Sequence, residues 1–383
     1  MNLYQIRYPL PYPSAPVTMI FLTEIIFVTT LLSGSFSLAS SPGCTIRRYS
    51  DVPSVLSNCT TIIIDNLVFP AGITFELYLQ KGTTVTFKGT TRFEYTPWSG
   101  PLIRVKGSNI TIQGEPGSVL DGQGPLYWDG KGDKGPKKPQ FIKIEANERS
   151  VMKNINILNC PHHCIYVGKS DGLTISDWVI DVSDGDKNNF TGHNTDGFDV
   201  SGANNLIIEN TRVINQDDCI AIRYGTNITV RNMYCSGGHG LSLSVGFNKT
   251  SYPENVVSNV LIEDSTVVRS ANAIHIKTHT DGWFGLINNI TYRNIELIGI
   301  TNFGINIQQD YANGEGTGTV RDNIPIRNIN LSNIHGNMKG RKTRAFYIYC
   351  AKDACSDWKW VDMKIENASK SNSCNYSPPD YPC

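Results

Sequence analysis

Residues 194–243 read NTDGFDVSGANNLIIENTRVINQDDCIAIRYGTNITVRNMYCSGGHGLSL. Two nearly equal periods run through this stretch. Asn205-Leu-Ile-Ile-Glu-Asn210 returns 22 residues later as Asn227-Ile-Thr-Val-Arg-Asn232. The short runs Phe198-Asp-Val200, Ile220-Ala-Ile222 and Leu241-Ser-Leu243 recur after 22 and 21 residues. Each run sets two apolar residues around an outward one, the period-two signature of a strand with one buried face. The closing Asn residues suit turns, because Asn tolerates left-handed backbone and bonds its own main chain.

Outward from this stretch the pattern continues. Gly172–Asp177, Asn259–Asp264, Asn289–Asn294 and Asn328–Asn333 repeat the first unit, and Ile274-His-Ile276, Ile305-Asn-Ile307 and Phe346-Tyr-Ile348 repeat the second. The period stretches from about 21 to about 40 residues, as coils with variable loops require. A single coil cannot bury its apolar face, whereas stacked coils can. The expected fold is all-β, a right-handed parallel β-helix. A β-sandwich would leave the repeat unexplained. One solenoid domain is expected over residues 40–383. A short helix near Ser50–Leu56 should cap its amino end, and the Gly/Lys/Pro-rich run Gly130–Pro139 should be a loop at a cleft edge.

The same register stacks polar residues. Two positions before the first apolar residue of successive strands stand Asp196, Asp218 and His239, with Asp217 beside them. Neighbouring parallel strands lie about 4.8 Å apart, so these groups should meet at one corner of the solenoid. The outward column is Asp199, Ala221, Ser242, His275, Asn306 and Tyr347, and one step further come Ser201, Arg223, Ser244, Lys277 and Gln308. Crowded carboxylates raise at least one pKa, leaving a protonated acid beside an ionised base. That pair is what glycoside hydrolysis needs. A calcium site is the competing reading, and His239 argues against it because hard cations prefer oxygen ligands.

Formal net charge is zero with 34 basic and 34 acidic residues, so nothing argues for a nucleic-acid or membrane partner. An anionic substrate needs local cations instead. Met19–Ala39 is apolar, then small and polar, and ends in Ser37-Leu38-Ala39, as a signal peptidase site does. Residues 1–39 are therefore expected to be an amino-terminal extension plus signal peptide, and the protein to be secreted and extracellular. Ten cysteines agree with export. Sequential neighbours suggest local bridges: Cys44–Cys59, Cys160–Cys164, Cys219–Cys235, Cys350–Cys355 and Cys374–Cys383. Cys160-Pro-His-His-Cys164 lacks a second Cys/His pair at zinc-site spacing, so a disulfide loop is preferred there. Nine Asn-X-Ser/Thr sequons fit a glycosylated exported chain.

Asn194-Thr-Asp196-Gly-Phe-Asp199, Gln216-Asp217-Asp218-Cys219, Gly238-His239-Gly240, Ile276-Lys277 and Gln309-Asp310-Tyr311 together resemble the polygalacturonases of glycoside hydrolase family 28, over about Cys44–Cys383. The likeness is greatest to fungal-type endo-acting members, which some plant-feeding animals also carry. The resemblance implies hydrolysis of α-1,4-galacturonosyl bonds in polygalacturonate (pectin) with inversion. It implies Asp218 as general acid, Asp196 and Asp217 activating water, and His239 supporting the acid's proton. Asn194, His275, Lys277 and Tyr311 would bind substrate. No cofactor or metal is implied, and a monomer is expected. By the usual distance rule close-set carboxylates point to retention, whereas the family inverts.

One motif departs from the family. Its Arg-Ile-Lys reads His275-Ile276-Lys277 here, replacing a fixed fork for carboxylate by a weaker donor expected to carry charge only in acid. Alternatives follow from that change: a hydrolase with a shifted pectic substrate or exo action, or a weak pectin-binding homologue acting as a decoy for plant polygalacturonase-inhibiting proteins, which are the expected protein partners.

Overall fold

The computed structural model describes residues 43–187, 189, 191–312, 314–379, 381 and 383. The expected signal peptide lies outside them. The apolar pairs of the repeat form the core in register. Phe198 pairs with Ile220, Ile220 with Leu241, Leu241 with Ile274, Ile274 with Ile305, and Ile305 with Phe346. Val200, Ile222, Leu243, Ile276, Ile307 and Ile348 repeat the same order two residues on, and all twelve side chains are buried. Among the described residues every strand pairing is parallel except a two-pair hairpin, Tyr311–Gly316 and Ala312–Glu315. The architecture is a right-handed parallel β-helix.

The turns follow from the asparagines. Asn205, Asn227, Asn259, Asn289 and Asn328 open the first units, and Asn210, Asn232, Asp264, Asn294 and Asn333 close them. All ten have φ between 50° and 57°, the left-handed region that costs most L-residues about 1–2 kcal/mol. Their amides bridge successive coils. Asn232 donates to Asn210 at 3.0 Å, Asn294 to Asp264 at 2.7 Å, and Asn333 to Asn294 at 2.8 Å. Asn232, Asn294 and Asn333 thus each bend their own coil and tie it to the preceding one.

Both ends of the stack are closed. At the amino end a helix over Val52–Asn58 buries Val52 and Val55. Asp51 Oδ2 accepts the main-chain N–H groups of Arg47 (3.1 Å) and Arg48 (2.9 Å), fixing the approach to the helix. At the other end Phe346, Trp358, Trp360 and Tyr381 pack ring on ring, with centroids 5.5–6.0 Å apart. Five disulfides join Cys44 to Cys59, Cys160 to Cys164, Cys219 to Cys235, Cys350 to Cys355 and Cys374 to Cys383.

This account of the corners makes an ordering prediction at Asn232. Asn232→Gly keeps the left-handed backbone and loses only the ladder bond, whereas Asn232→Ala loses both. Thermal unfolding should rank Asn above Gly above Ala, with Ala about 1–2 kcal/mol below Gly. Equal melting of the two variants would show that backbone handedness does not govern the corner.

Candidate active site

Strand register builds the site. Ile165 pairs with Phe198, so the column two residues upstream reads His163, Asp196, Asp218, His239 and Asn272. The coils bond at this corner too: Cys164 N–H donates to Asp196 O (2.8 Å), Gly197 N–H to Asp218 O (2.9 Å) and Cys219 N–H to Gly240 O (3.0 Å). Buried Asn215 fixes the turn carrying Asp217 and Asp218. Its amide shares two hydrogens among the carbonyls of Thr195, Asp217 and Asp218, at 2.9, 3.0 and 2.9 Å. Gly238 closes the neighbouring turn, where any Cβ would fall 2.0 Å from Asp217 O.

The three carboxylates have different environments. Asp217 Oδ1 faces His239 Nδ1 at 3.0 Å and accepts Asp218 N–H at 2.8 Å, while Oδ2 accepts the Asn194 amide at 3.2 Å. Burial pushes Asp217 upward, but His239 and then Lys277 outweigh it and hold the carboxyl well below its usual range. Burial likewise works against charge on His239, and the Asp217 carboxylate raises it to about 9. Asp218 Oδ2 lies 2.8 Å from Lys277 Nζ, and Oδ1 accepts Ser242 Oγ–H at 2.7 Å. Burial opposes the charge of Lys277, yet Asp218 keeps it protonated, with the ammonium 5.0 Å from the Tyr311 ring centre. Asp196 is raised well above the ordinary carboxylate value, by burial first and by Asp217 second. Burial thus works against charge on Asp196 beside an Asp217 held as an anion.

Ligand atoms of Asp217, Asp218 and His239 lie within 4.8 Å of one another, a spacing that could hold a metal ion. The positive charge such an ion would bring is already supplied by Lys277 on Asp218 and His239 on Asp217.

Three neighbours complete the surroundings of Asp196: Asp199 and Arg223 belong to the columns read from the sequence, and His163 is the residue that reading missed. His163 places Nε2 3.6 Å from Asp196 Oδ1 and Nδ1 2.5 Å from Asp199 Oδ2. Burial would discharge this imidazole, but Asp199 and Asp196 raise it to about 10. Asp199 is wholly buried and also holds Arg223 Nη2 at 2.6 Å. The expected alignment of Ser201 with Arg223 is corrected here. Val200 pairs with Ile222 but Ser201 pairs with Tyr224, so Arg223 is the extra residue of a β-bulge. Ser244, Lys277 and Gln308 do align. His163 could have been found by carrying the column one coil further back. The loop before Asp196 stretches that period to 33 residues and hides it.

His275 sits in the outward column between Ser242 and Asn306, with Nδ1 3.4 Å from the Asn272 amide nitrogen. Burial, then Lys277 and His239, hold its pKa well below the ordinary value. The expectation that His275 gains charge in mild acid is therefore corrected: it is a neutral group packed beside a lysine. Its Nε2 is buried without a hydrogen-bond partner. The Tyr311 ring lies at the edge of His275 (6.1 Å) and of His279 (5.1 Å). The Gly130–Pro139 run does border the site, since Asp133 pairs with His162 Nε2 at 3.0 Å and takes the Asn194 carbonyl on its own N–H at 3.1 Å.

With this geometry in hand, comparison with known proteins is specific. The family profile described as glycosyl hydrolases family 28 matches residues 59–383. A polygalacturonase of Phaedon cochleariae is 47% identical over 368 residues, covering 94% of this chain and 99% of that one. A probable endopolygalacturonase I of Aspergillus terreus is 43% identical over 346 residues, covering 90% and 92%. Among solved structures, endopolygalacturonase I from Stereum purpureum, complexed with two galacturonate, superposes with a TM-score of 0.72 at 33% identity, covering 87% and 96%. The chain belongs to glycosyl hydrolases family 28.

The Asp217–His239 pair links site charge to stability with a definite sign. His239 is raised from 6.5 to about 9, so its contribution is full below pH 6.5 and is lost as pH rises through about 9. Asp217 is depressed, so its contribution is present above pH 3.8 and is lost as pH falls towards its lowered value. His239 is 44% exposed in its side chain, and solvent screening keeps the effect small. The melting-temperature gap between wild type and His239→Asn should be widest between pH 4 and 6.5 and close by about pH 10. A gap independent of pH would remove the ion pair from the account.

Proposed function

We propose that this family 28 protein is a secreted endo-polygalacturonase that hydrolyses α-1,4-galacturonosyl bonds by single displacement with inversion. The observation that carries the reading is the stacking of Asp196, Asp218 and His239 in one column beside Asp217, where burial pushes Asp196 up and, against burial, His239 holds Asp217 down. An acid and a base side by side at one corner of a cleft are the requirements of glycosidic hydrolysis. The names of the relatives from Phaedon cochleariae and Aspergillus terreus support polygalacturonate as substrate, and five disulfides support export.

The roles follow from partner exchange. Asp218 faces Lys277, and burial favours a proton on Asp196. A galacturonate carboxylate entering the cleft competes for Lys277. As the ammonium turns to substrate, Asp218 is released to face the leaving oxygen. The proton then leaves Asp196 for Asp218. Asp218 delivers it to the leaving oxygen, while Asp196 and Asp217, now both anionic, orient and deprotonate the attacking water. His239 keeps Asp217 ionised throughout and supports the proton on Asp218. Asn194 positions Asp217, and Tyr311 supports Lys277 as it turns.

Release of reducing ends from polygalacturonate tests the reading directly. Asp218→Asn should lower kcat by about 10²–10⁴-fold, the range that general acid catalysis supplies, with KM little changed. Proton NMR of the first products should show inverted anomers, and early digests should contain a ladder of oligomers rather than monomer alone. Retained configuration would overturn the single displacement. Wild type that releases nothing between pH 4 and 7 would favour the weak binding homologue instead.

A further inference from the structure

Asp199 carries more positive charge than one carboxylate needs. It is wholly buried, yet it pairs with both His163 Nδ1 (2.5 Å) and Arg223 Nη2 (2.6 Å). Asp196, the next carboxylate along, lies 3.6 Å from His163 Nε2, and burial works against its charge. Two cations thus converge on one wholly buried carboxylate beside Asp196.

Arg223 is built to present that charge. The bulge turns it out of the outward column and frees it from strand pairing. Its guanidinium carbon lies 4.5 Å from the centre of the Phe247 ring, and Phe247 is 46% exposed. The other neighbour of Phe247 is the His279 ring, with centroids 4.1 Å apart. Arg223 Nε is buried without a hydrogen-bond partner, and its side chain remains 20% exposed. An arginine locked by a buried carboxylate and an aromatic face has little rotamer freedom left to lose on binding. Its remaining N–H groups match a planar carboxylate.

We infer that Arg223, seated on Phe247 and anchored by Asp199, is a second carboxylate-binding position that recognises a free uronate group of the substrate chain. Phe247 supplies an apolar face for the same sugar ring. His275 offers no charge in its column, so Lys277, paired with Asp218, and Arg223, paired with Asp199, divide the recognition of acidic sugars. The inference rests on the proposed action on polygalacturonate, and it assigns the discrimination between free and methyl-esterified chains to Arg223.

Kinetics on polygalacturonate and on highly methyl-esterified pectin test it. Arg223→Gln should raise KM for polygalacturonate about ten- to a hundredfold, the scale of a lost charged hydrogen bond, with kcat within about threefold. KM on the esterified polymer should barely change, so the preference for free uronate narrows by the same factor. Arg223→Lys should fall between. Equal KM in wild type and Arg223→Gln, or an equal loss on both polymers through kcat, would overturn the assignment and leave Arg223 as a support for Asp199. Should Arg223→Gln fail to fold, Phe247→Leu leaves the Asp199 pair intact and should raise KM in the same direction. Binding separates this inference from the catalytic reading. In an Asp218→Asn chain, trigalacturonate should shift the Arg223 Nε–H resonance whether or not the wild type hydrolyses polymer, and an unmoved resonance would overturn the proposal.

Discussion

Parallel pairing of coils in a single register is the interaction on which the rest depends. Phe198 on Ile220 on Leu241 is a core contact, and it simultaneously sets Asp196 above Asp218 above His239. A slip of one residue between any two coils would turn buried side chains outward and scatter the site. The core therefore guarantees the chemistry. Its cost is that acid and base must live at the strand spacing of about 4.8 Å, where like charges repel. The site resolves that repulsion unequally. His239 and Lys277 each pair with one carboxylate, and burial and Asp217 push Asp196 above the ordinary carboxylate value.

Small polar groups hold this crowded corner together. Asn215 gathers three carbonyls from two successive turns, and so fixes how far apart Asp196 and Asp218 stand. Gly238 permits the main chain of the next coil to pass against Asp217 O. Neither residue carries charge, yet both decide where charge sits. The Asn and Asp corners do the same for the fold at large, because their left-handed backbone ends each strand at a fixed residue.

Much of this was legible in the sequence, for a physical reason. Period-two apolar pairs and Asn corners are local requirements of each coil, so they recur in every coil and can be aligned. The β-helix, the amino-terminal helix and the column of Asp196, Asp218 and His239 followed from that alignment. What stayed hidden is not periodic. His163 belongs to the column, but an inserted loop breaks the spacing that would reveal it, and two cysteines around it suggest a different use. The bulge at Arg223 is a shift of register between two coils, which neither strand records alone. His275 looked like a weak acid-range cation because its residue type titrates there. Its neutrality comes from burial beside Lys277, a property of two adjacent coils.

A solenoid also explains why charge can sit at 223 while 275 stays neutral. Outward side chains in such a fold touch neighbours in the same column and make no demands on the core beneath. Ala221, Ser242 and His275 differ in size and polarity, while Ile222, Leu243 and Ile276 behind them remain an unbroken apolar stack. A cation can therefore stand at another coil, about 4.8 Å away per step, without repacking the interior. A polymeric substrate makes such placement useful, because it carries a carboxylate on every ring and meets the column at several levels. Lys277 lies 2.8 Å from Asp218, and Arg223 lies 2.6 Å from Asp199. The same kind of ligand group would be read by one cation that affects catalysis and by another that governs binding.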